Sequence, residues 1–150
     1  MRSSGSVETR AAPRLSIIVL PFADLSAAHD QQYFADGVTE DLTTDLSRIA
    51  DMLVISHNSA FTYKDKPANA QQIGRELGVR YVLEGSVEHF GDRVRINAQL
   101  IDAETNMHLW AERFDRDAGD FFALQDEITR WLAGALNASL IKVEASHSPR

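Results

Sequence analysis

The sequence predicts one α/β (α+β) domain with a mixed sheet of about five strands, in the order β-α-β-α-β-β-β-α, and helices packed on that sheet. Three observations lead to this fold class. Residues 15–20 form a nearly continuous apolar run, which suits a strand covered on both faces. Apolar residues then recur at helical spacing between Phe34 and Ile49. Residues 80–102 alternate between apolar and polar side chains around a glycine turn, as a β-hairpin does.

The first half of the domain is predicted to be a βαβ unit. Its first strand ends at Pro21, and its second is the short buried run Met52 to Ile55. The helix between them carries one apolar stripe, Phe34, Val38, Leu42, Leu46 and Ile49. A strand, a helix and a strand so close together favour two parallel strands joined by a crossover helix. Residues 56–68 are predicted to be a loop or a single turn, with Phe61 and Tyr63 as its anchors.

The second half begins with a short helix and a hairpin. Asn69 is placed as the N-cap of the helix and Gly78 as its left-handed stop. The hairpin turns at Gly91-Asp92, a two-residue type II′ turn, which pairs Glu88 with Arg95 across the strands. The same register puts Gly85 opposite Ala98, and we expect a helix to approach closely at this shallow position.

A third antiparallel strand is expected over residues 107–114, after a turn at Glu104-Thr105-Asn106. A three-residue loop with a bulge places Trp110 on the core face, whereas a two-residue loop reverses it, so the side of Trp110 stays open. The last helix is predicted to start at the cap Asp120 and to bury Trp131 within its apolar stripe.

Composition limits the classes of function. The 150 residues include no cysteine, which excludes disulfides, thiolate catalysis and cysteine-bound metals. Most of the net charge of −7 lies in residues 24–51, so direct nucleic-acid binding is not expected. No apolar run reaches the roughly 20 residues that span a bilayer, so direct membrane insertion is not expected either. Residues 1–14 are predicted to be a polar linker, 15–141 the domain and 142–150 a linker or tail.

Five residues are candidates for a site. Asp36, Glu40 and Asp41 form a solvated helix face, a weak cation site, or a docking surface for a basic partner. Glu84 is either a wet-face carboxylate opposite Gln99, a salt link to Arg80 or Arg113, or part of a partner groove. Trp110 belongs to the core or, if exposed, to an interface.

No catalytic, cofactor-binding or metal-ligating residue is predicted. The glycines form neither a phosphate-binding loop nor a dinucleotide fingerprint, and no serine has the surroundings of a nucleophile elbow. The five histidines lack metal-ligand spacing.

Five stretches in order are similar to the signature of the TolB-N-like (FlgO/CsgG-related) domain. They are Ile17 to Ser26, Tyr33 to Leu42, Ile73 to Val87, Leu109 to Asp115 and Phe122 to Ile128. Such domains are attached to bacterial class III adenylate/guanylate cyclases and winged-helix regulators, often before tetratricopeptide repeats. The family has no established catalytic residues, and its relatives include envelope lipoproteins that act by protein contact. The resemblance therefore implies a non-catalytic regulatory or protein-interaction module that works through a protein partner or attached output domains.

Alternatives remain beside that interpretation. One is a small-molecule sensor that binds its ligand between sheet and helices, and a more remote one is an envelope-associated accessory protein. A homodimer also stays open. In many relatives a transmembrane helix precedes the first strand, but here residues 2–14 are polar, so the periplasmic side of an anchored parent and the cytoplasm both remain open.

Overall fold

The structure is a computed structural model that describes residues 15–28, 30–48, 52–64, 69–119 and 121–147. These residues form six strands and four helices. The strands are β1 (Ser16–Val19), β2 (Ala23–Asp24), β3 (Leu53–Val54), β4 (Tyr81–Phe90), β5 (Arg93–Asp102) and β6 (Met107–Asp117). The helices are α1 (Gln32–Ser47), α2 (His57–Phe61), α3 (Ala70–Leu77) and α4 (Phe121–His147).

All six strands belong to one mixed sheet, which confirms the predicted fold class. The strand order is β3-β1-β4-β5-β6, and the short β2 pairs with β4 beyond the end of β1. β1 runs parallel to both β3 and β4, whereas β4, β5 and β6 form an antiparallel meander. The unit β1-α1-β3 is therefore the predicted βαβ unit, although its second strand is not buried as predicted: β3 lies at one end of the sheet and Leu53 is exposed. β6 lies at the other end of the sheet.

The sheet has a core on each face, and the two cores differ in size. The larger cluster joins one face of the sheet to α1 and α4, and Leu42, Leu83 and Leu132 are fully buried within it. The smaller cluster lies on the opposite face, where Ile18 and Val82 pack against Ala60 of α2 and Ile73 of α3. Burial of this apolar surface is the main stabilising term. No helix within the described ranges has the length and apolar character needed to cross a membrane.

The hairpin has the predicted register. Phe90 pairs with Arg93, Glu88 with Arg95 and Gly85 with Ala98. Gly91 has φ 59°, and Asp92 is not among the residues with positive φ, which matches a type II′ turn. The caps of α3 are also confirmed, since the Asn69 side chain accepts from the Gln72 amide at 2.8 Å and Gly78 is left-handed with φ 66°.

The close approach at Gly85 is real, but the prediction that a helix makes it is wrong. A Cβ on Gly85 would overlap the ring of Phe22 and would lie 2.6 Å from the carbonyl oxygen of Asn97. Phe22 belongs to the turn between β1 and β2, and its side chain is 1% exposed. Because Gly85 has no side chain, the aromatic ring of Phe22 from a distant turn can pack directly against the strand.

The turn between β5 and β6 is one residue longer than predicted. Asp102 pairs with Met107, so four residues, 103–106, lie between the strands, and Asn106 has φ 63°. The pairing then shifts between Leu100 and Ile101, and a bulge at Leu109 absorbs the extra residue. Beyond the bulge Leu100 pairs with Trp110, the pairing that a three-residue loop would also give.

Several predicted boundaries can be compared with the structure. The 56–68 segment contains the short helix α2, capped by the Ser56 side chain, which accepts from the Ser59 amide at 3.2 Å. Helix α4 continues to His147, past the predicted domain boundary at 141. The predicted linker at residues 1–14, the stripe residue Ile49 and the cap Asp120 lie outside the described residues.

Candidate functional site

One half of the sheet carries polar side chains that none of the four described helices covers. Side chains alternate along a strand, so the residues of β4 and β5 that do not face the larger cluster face the opposite side. There α2 and α3 cover only the end near Val82 and Ile101. We call the remaining polar part the open face. Its residues are Glu84, Ser86, Glu88, Arg95, Asn97, Gln99, Ala111, Arg113 and Asp115.

The open face forms a shallow groove of about 720 Å³, lined by residues of β4, β5 and β6. Cross-strand hydrogen bonds organise its floor. The Gln99 amide nitrogen donates to the Glu84 carboxylate at 3.2 Å, and the Asn97 amide donates to the Ser86 hydroxyl at 3.5 Å. Arg113, exposed at the β6 side, adds a positive charge to the groove wall. The groove therefore offers donors, acceptors and both signs of charge.

An ion pair marks the other end of the open face. Arg95 Nε donates to Asp115 Oδ1 at 2.9 Å, and Nη2 lies 3.5 Å from Oδ2. This hydrogen bond is the main reason that the pKa of Asp115 is lowered and the pKa of Arg95 raised, with the charges of Arg93 and Arg113 adding to the effect on Asp115. The predicted Glu88–Arg95 pair is therefore not the dominant one. Glu88 acts on Arg95 only by a weaker charge interaction.

Glu84 lies on the wet side of the sheet, hydrogen-bonded to Gln99, as the first of its predicted interpretations states. The salt link to Arg80 is not among the ion pairs of the described residues, and that guanidinium lies 3.9 Å from both Asp102 and Glu104. Within the described residues Glu84 makes no ion pair with Arg113 either. Glu84 does line the open-face groove, and it also lines a second groove next to it.

The second groove, of about 550 Å³, lies between the sheet and the helices. The β1–β2 turn, Gln32 of α1, and Tyr63 and Lys64 after α2 line it together with Glu84. Tyr63 donates to the Glu76 carboxylate at 2.5 Å, and this hydrogen bond is the main reason that its pKa is raised to about 12. The pKa shift moves the ionisation of Tyr63 further into the alkaline range.

The three acidic candidates of α1 do not converge. Asp36 accepts from Gln32 at 2.8 Å and lies 3.8 Å from the Lys64 ammonium. Asp41 accepts from Gln125 of α4 at 2.7 Å, and Glu40 is exposed. In the described part of the chain, no three His, Cys, Asp or Glu side chains gather as metal ligands would. A docking role for these acids stays a prediction.

Two tryptophans lie near β6. Trp110 is on the core-facing side, half-buried against the larger cluster. Trp131 of α4 was predicted to be core, but its side chain is 41% exposed, with its ring centroid 4.8 Å from that of Phe114. Sequence spacing places Trp131 on the apolar stripe of α4, but it does not show how much of that stripe the sheet covers. The outer side of β6, which we call the β6 edge, has no strand paired to it among the described residues.

Comparison with known proteins gives one family and a set of shared folds. Residues 13–131 match the family model of the HilA/YgeH-like transcriptional regulator, second domain. A protein of Rhizobium meliloti (strain 1021) named "Putative adenylate cyclase 3" is 55% identical over 125 residues, which is 83% of this chain and 21% of that protein. The chain thus spans about one fifth of the length of this relative.

Solved structures share the fold at low sequence identity. TolB from Acinetobacter baumannii has a TM-score of 0.52 at 20% identity, over 83% of this chain and 28% of that one. A PelC dodecamer from Paraburkholderia phytofirmans has a TM-score of 0.56 at 21% identity, over 87% and 91%. The lipoprotein GNA1162 from Neisseria meningitidis has a TM-score of 0.56 at 18% identity, over 79% and 98%. These likenesses concern the fold alone.

Proposed function

The chain belongs to the family of HilA/YgeH-like transcriptional regulator second domains, and on that basis we propose that it is a non-catalytic regulatory and protein-interaction domain of a bacterial signalling protein. In this proposal the output is made by an attached domain, such as an adenylate cyclase, and this domain sets the level of that output through protein contacts. The TolB-N-like assignment suggested by the sequence is part of the same proposal.

The observation that carries the proposal is the uncovered half of the sheet. The open face and the β6 edge are contiguous, and on the other side of the sheet Trp131 exposes an aromatic surface against Phe114 of β6. An unpaired strand offers backbone hydrogen-bonding groups to a partner, and an exposed tryptophan supplies binding energy when it is buried. The pKa shifts of Arg95 and Asp115 on the open face are those of an ion pair.

The Rhizobium meliloti relative supports the attached-output part of the proposal. The matched segment is 55% identical to this chain, yet that segment is only 21% of a protein whose name refers to an adenylate cyclase. A segment of that share leaves most of the protein for other domains. The output domain and the partner of this chain are proposals on that basis.

A chimera tests the regulatory role. The matched segment of the Rhizobium meliloti protein is replaced by this chain, and cyclic AMP is measured at equal protein levels. We expect Asn97→Lys, at the centre of the open face, to change the output at least about threefold by placing a charge against the partner surface. Thr44→Lys, on the exposed side of α1, adds the same side chain elsewhere and should leave the output unchanged.

Two results would contradict the proposal. One is an equal response of the output to both lysine substitutions, or no response when the segment is deleted. The other is catalysis by this chain itself. The purified chain, given ATP or GTP with Mn²⁺, should form no cyclic nucleotide, and turnover abolished by a point substitution in this chain would make it an enzyme.

The second groove favours a small-molecule sensor as the alternative function. It lies between sheet and helices, and Lys64 and Glu84 at its wall could hold a ligand with both charges, such as an amino acid. Thermal denaturation with each of the twenty amino acids tests this alternative. A rise in Tm that Lys64→Ala removes would support it, and unchanged midpoints for all twenty would reject an amino-acid ligand.

A further inference from the structure

The β6 edge presents a defined set of backbone hydrogen-bonding groups. The Ala118 amide donates to the Asp92 carbonyl at 2.6 Å, and the Ala103 amide donates to the Arg80 carbonyl at 2.7 Å. Backbone groups alternate between the two sides of a strand in an antiparallel ladder. The first bond shows that the even-numbered residues of β6 beyond the bulge direct their backbone groups toward β5. The second bond agrees, because it directs the odd-numbered residues of β5 toward β4 and leaves the even-numbered ones for β6. The N–H and C=O groups of residues 111, 113, 115 and 117 point outward.

These outward groups restrict how a second copy of β6 can pair antiparallel with the first. In an antiparallel pair, two opposed residues direct their backbone N–H and C=O groups either both toward the partner strand or both away from it. Two opposed residues of β6 must therefore be both odd-numbered or both even-numbered, so the two-fold axis passes through a residue and not between two residues. An axis through Glu112, Arg113, Asp115 or Arg116 places two like charges opposite each other. Such pairs are destabilising.

An axis through Phe114 gives the opposite result. Glu112 of one copy then lies opposite Arg116 of the other, on the side of the sheet that faces α4, and Arg113 lies opposite Asp115 on the open face. Each pair occurs twice across the axis, so four opposite-charge contacts form and no like charges face each other among residues 112–116. The sequence Glu112-Arg-Phe-Asp-Arg116 is thus self-complementary in charge around its central phenylalanine.

The exposed aromatic surface is at the same place. Trp131 lies against Phe114, with 4.8 Å between the ring centroids, and 41% of its side chain is exposed. An axis through Phe114 brings both copies of Trp131 next to the interface, where burial would add apolar contact to the backbone hydrogen bonds. The charge pattern and the aromatic surface are independent observations, and both select Phe114.

From these observations we propose that the β6 edge is a homodimer interface, in which two copies of this chain pair their β6 strands antiparallel about Phe114 into one continuous sheet. This inference rests on the proposed function, in which β6 is a contact surface, and it identifies a second copy of this chain as the partner. On the open face Arg113 of the second copy would join the Arg95–Asp115 ion pair, so that the two open faces meet across the axis.

Charge reversal in two separate variants tests the register. Glu112→Arg alone sets the new guanidinium against Arg116 of the other copy, and Arg116→Glu alone sets the new carboxylate against Glu112. We expect each to weaken self-association at least about tenfold in Kd, measured by sedimentation equilibrium. An equimolar mixture of the two variants pairs opposite charges again and should dimerise like the wild type. Glu40→Arg, an equal charge change at an exposed position of α1, should not alter the Kd.

Cysteine cross-linking provides the second measurement, and the chain has no cysteine of its own. The backbone groups of residues 112 and 116 both point toward β5, so residue 112 of one copy and residue 116 of the other form a pair without hydrogen bonds between them. The Cα atoms of such a pair are about 4.5 Å apart, within the range of a disulfide. A mixture of Glu112→Cys and Arg116→Cys should yield a disulfide-linked dimer on mild oxidation. Glu112→Cys alone should yield much less, because its equivalent in the other copy lies four residues away.

The results separate the two proposals. A wild-type chain that stays monomeric to millimolar concentration, or a mixture of the charge variants that fails to dimerise, overturns the homodimer. If Asn97→Lys still changes the output of the chimera in that case, the regulatory function stands with a different partner. A dimer that forms with equal Kd in all variants overturns the register through Phe114.

Discussion

Thr39 holds the β1–β2 turn against α1. Its hydroxyl accepts from the Phe22 amide at 2.9 Å and donates to the Ala35 carbonyl at 2.9 Å, and the side chain is fully buried. The same turn presents Phe22 to Gly85, so one hydroxyl helps to set the position of an aromatic ring in the core. Thr129 of α4 differs, because its buried hydroxyl has no hydrogen-bond partner among the described residues.

The same substitution should therefore have opposite effects at these two threonines. Thr39→Val leaves the buried Phe22 amide without an acceptor, and we expect the free energy of unfolding to fall by about 1–3 kcal/mol. Thr129→Val removes a buried hydroxyl that has no partner among the described residues, and we expect the free energy of unfolding to rise by about 1 kcal/mol. Urea denaturation of both variants checks this. A midpoint for Thr129→Val at or below that of the wild type would show that its hydroxyl is satisfied.

At the scale of the strands, a polar side chain of β5 can pair with either of the two neighbouring strands in the sheet. Arg95 could have paired with Glu88 on β4 or with Asp115 on β6, and the structure brings it to Asp115. The pKa of Asp115 is lowered from its ordinary value of 3.8 chiefly by that hydrogen bond. A carboxyl group with a lowered pKa in the folded state stabilises the fold above its unfolded pKa, and that contribution is lost as the pH falls through the folded pKa.

Removal of the guanidinium should shift this titration. In Arg95→Met we expect the pKa of Asp115 to rise toward its ordinary value, so that the stabilisation at neutral pH is lost. NMR titration of the Asp115 carboxyl carbon measures the change. Arg93→Met is the matched control, because Arg93 contributes only a weaker charge interaction and should shift the pKa less. Equal shifts in both variants would mean that net charge, and not the hydrogen bond, lowers the pKa.

Elements with local signals were predictable from the sequence. The turn at Gly91, the alternation around it and the caps at Asn69 and Gly78 are each encoded within a few residues, and all of them are confirmed. Contacts between distant segments were not predictable in the same way. The approach to Gly85 was predicted, but its occupant is Phe22, more than sixty positions earlier, and local pattern cannot identify such a partner.

The candidate site followed the same division. Glu84 opposite Gln99 comes directly from the hairpin register, so its position was accessible from sequence. The exposure of Trp131 depends on which part of the α4 stripe the sheet covers, and periodicity does not encode this. The β6 edge depends on strand order, and the sequence left that order unspecified beyond neighbouring strands.

For the whole molecule, the unequal cores imply unequal local stability. The smaller cluster is closed by α2, with 5 residues, and α3, with 8 residues, and helices this short have little stability of their own. The larger cluster is closed by α1, with 16 residues, and α4, with 27 residues. Strands β4 and β5 contribute to both clusters, so they can stay folded when the smaller one opens.

Native-state hydrogen exchange on two core variants can test this difference. Ile73→Ala, in the smaller cluster, should lower the opening free energies of amides in both α3 and β5, because the contacts of Ile73 are lost when α3 opens alone and also when the whole domain unfolds. Leu132→Ala, in the larger cluster, should lower the β5 values by about 2–5 kcal/mol, because those amides exchange only when the whole domain unfolds. It should leave the α3 values nearly unchanged, because the larger cluster stays intact when α3 opens alone. Both side chains are at least 99% buried, so the comparison is matched for burial. If Leu132→Ala lowers the α3 values as far as it lowers those of β5, the two clusters unfold as one unit and this difference in local stability does not exist.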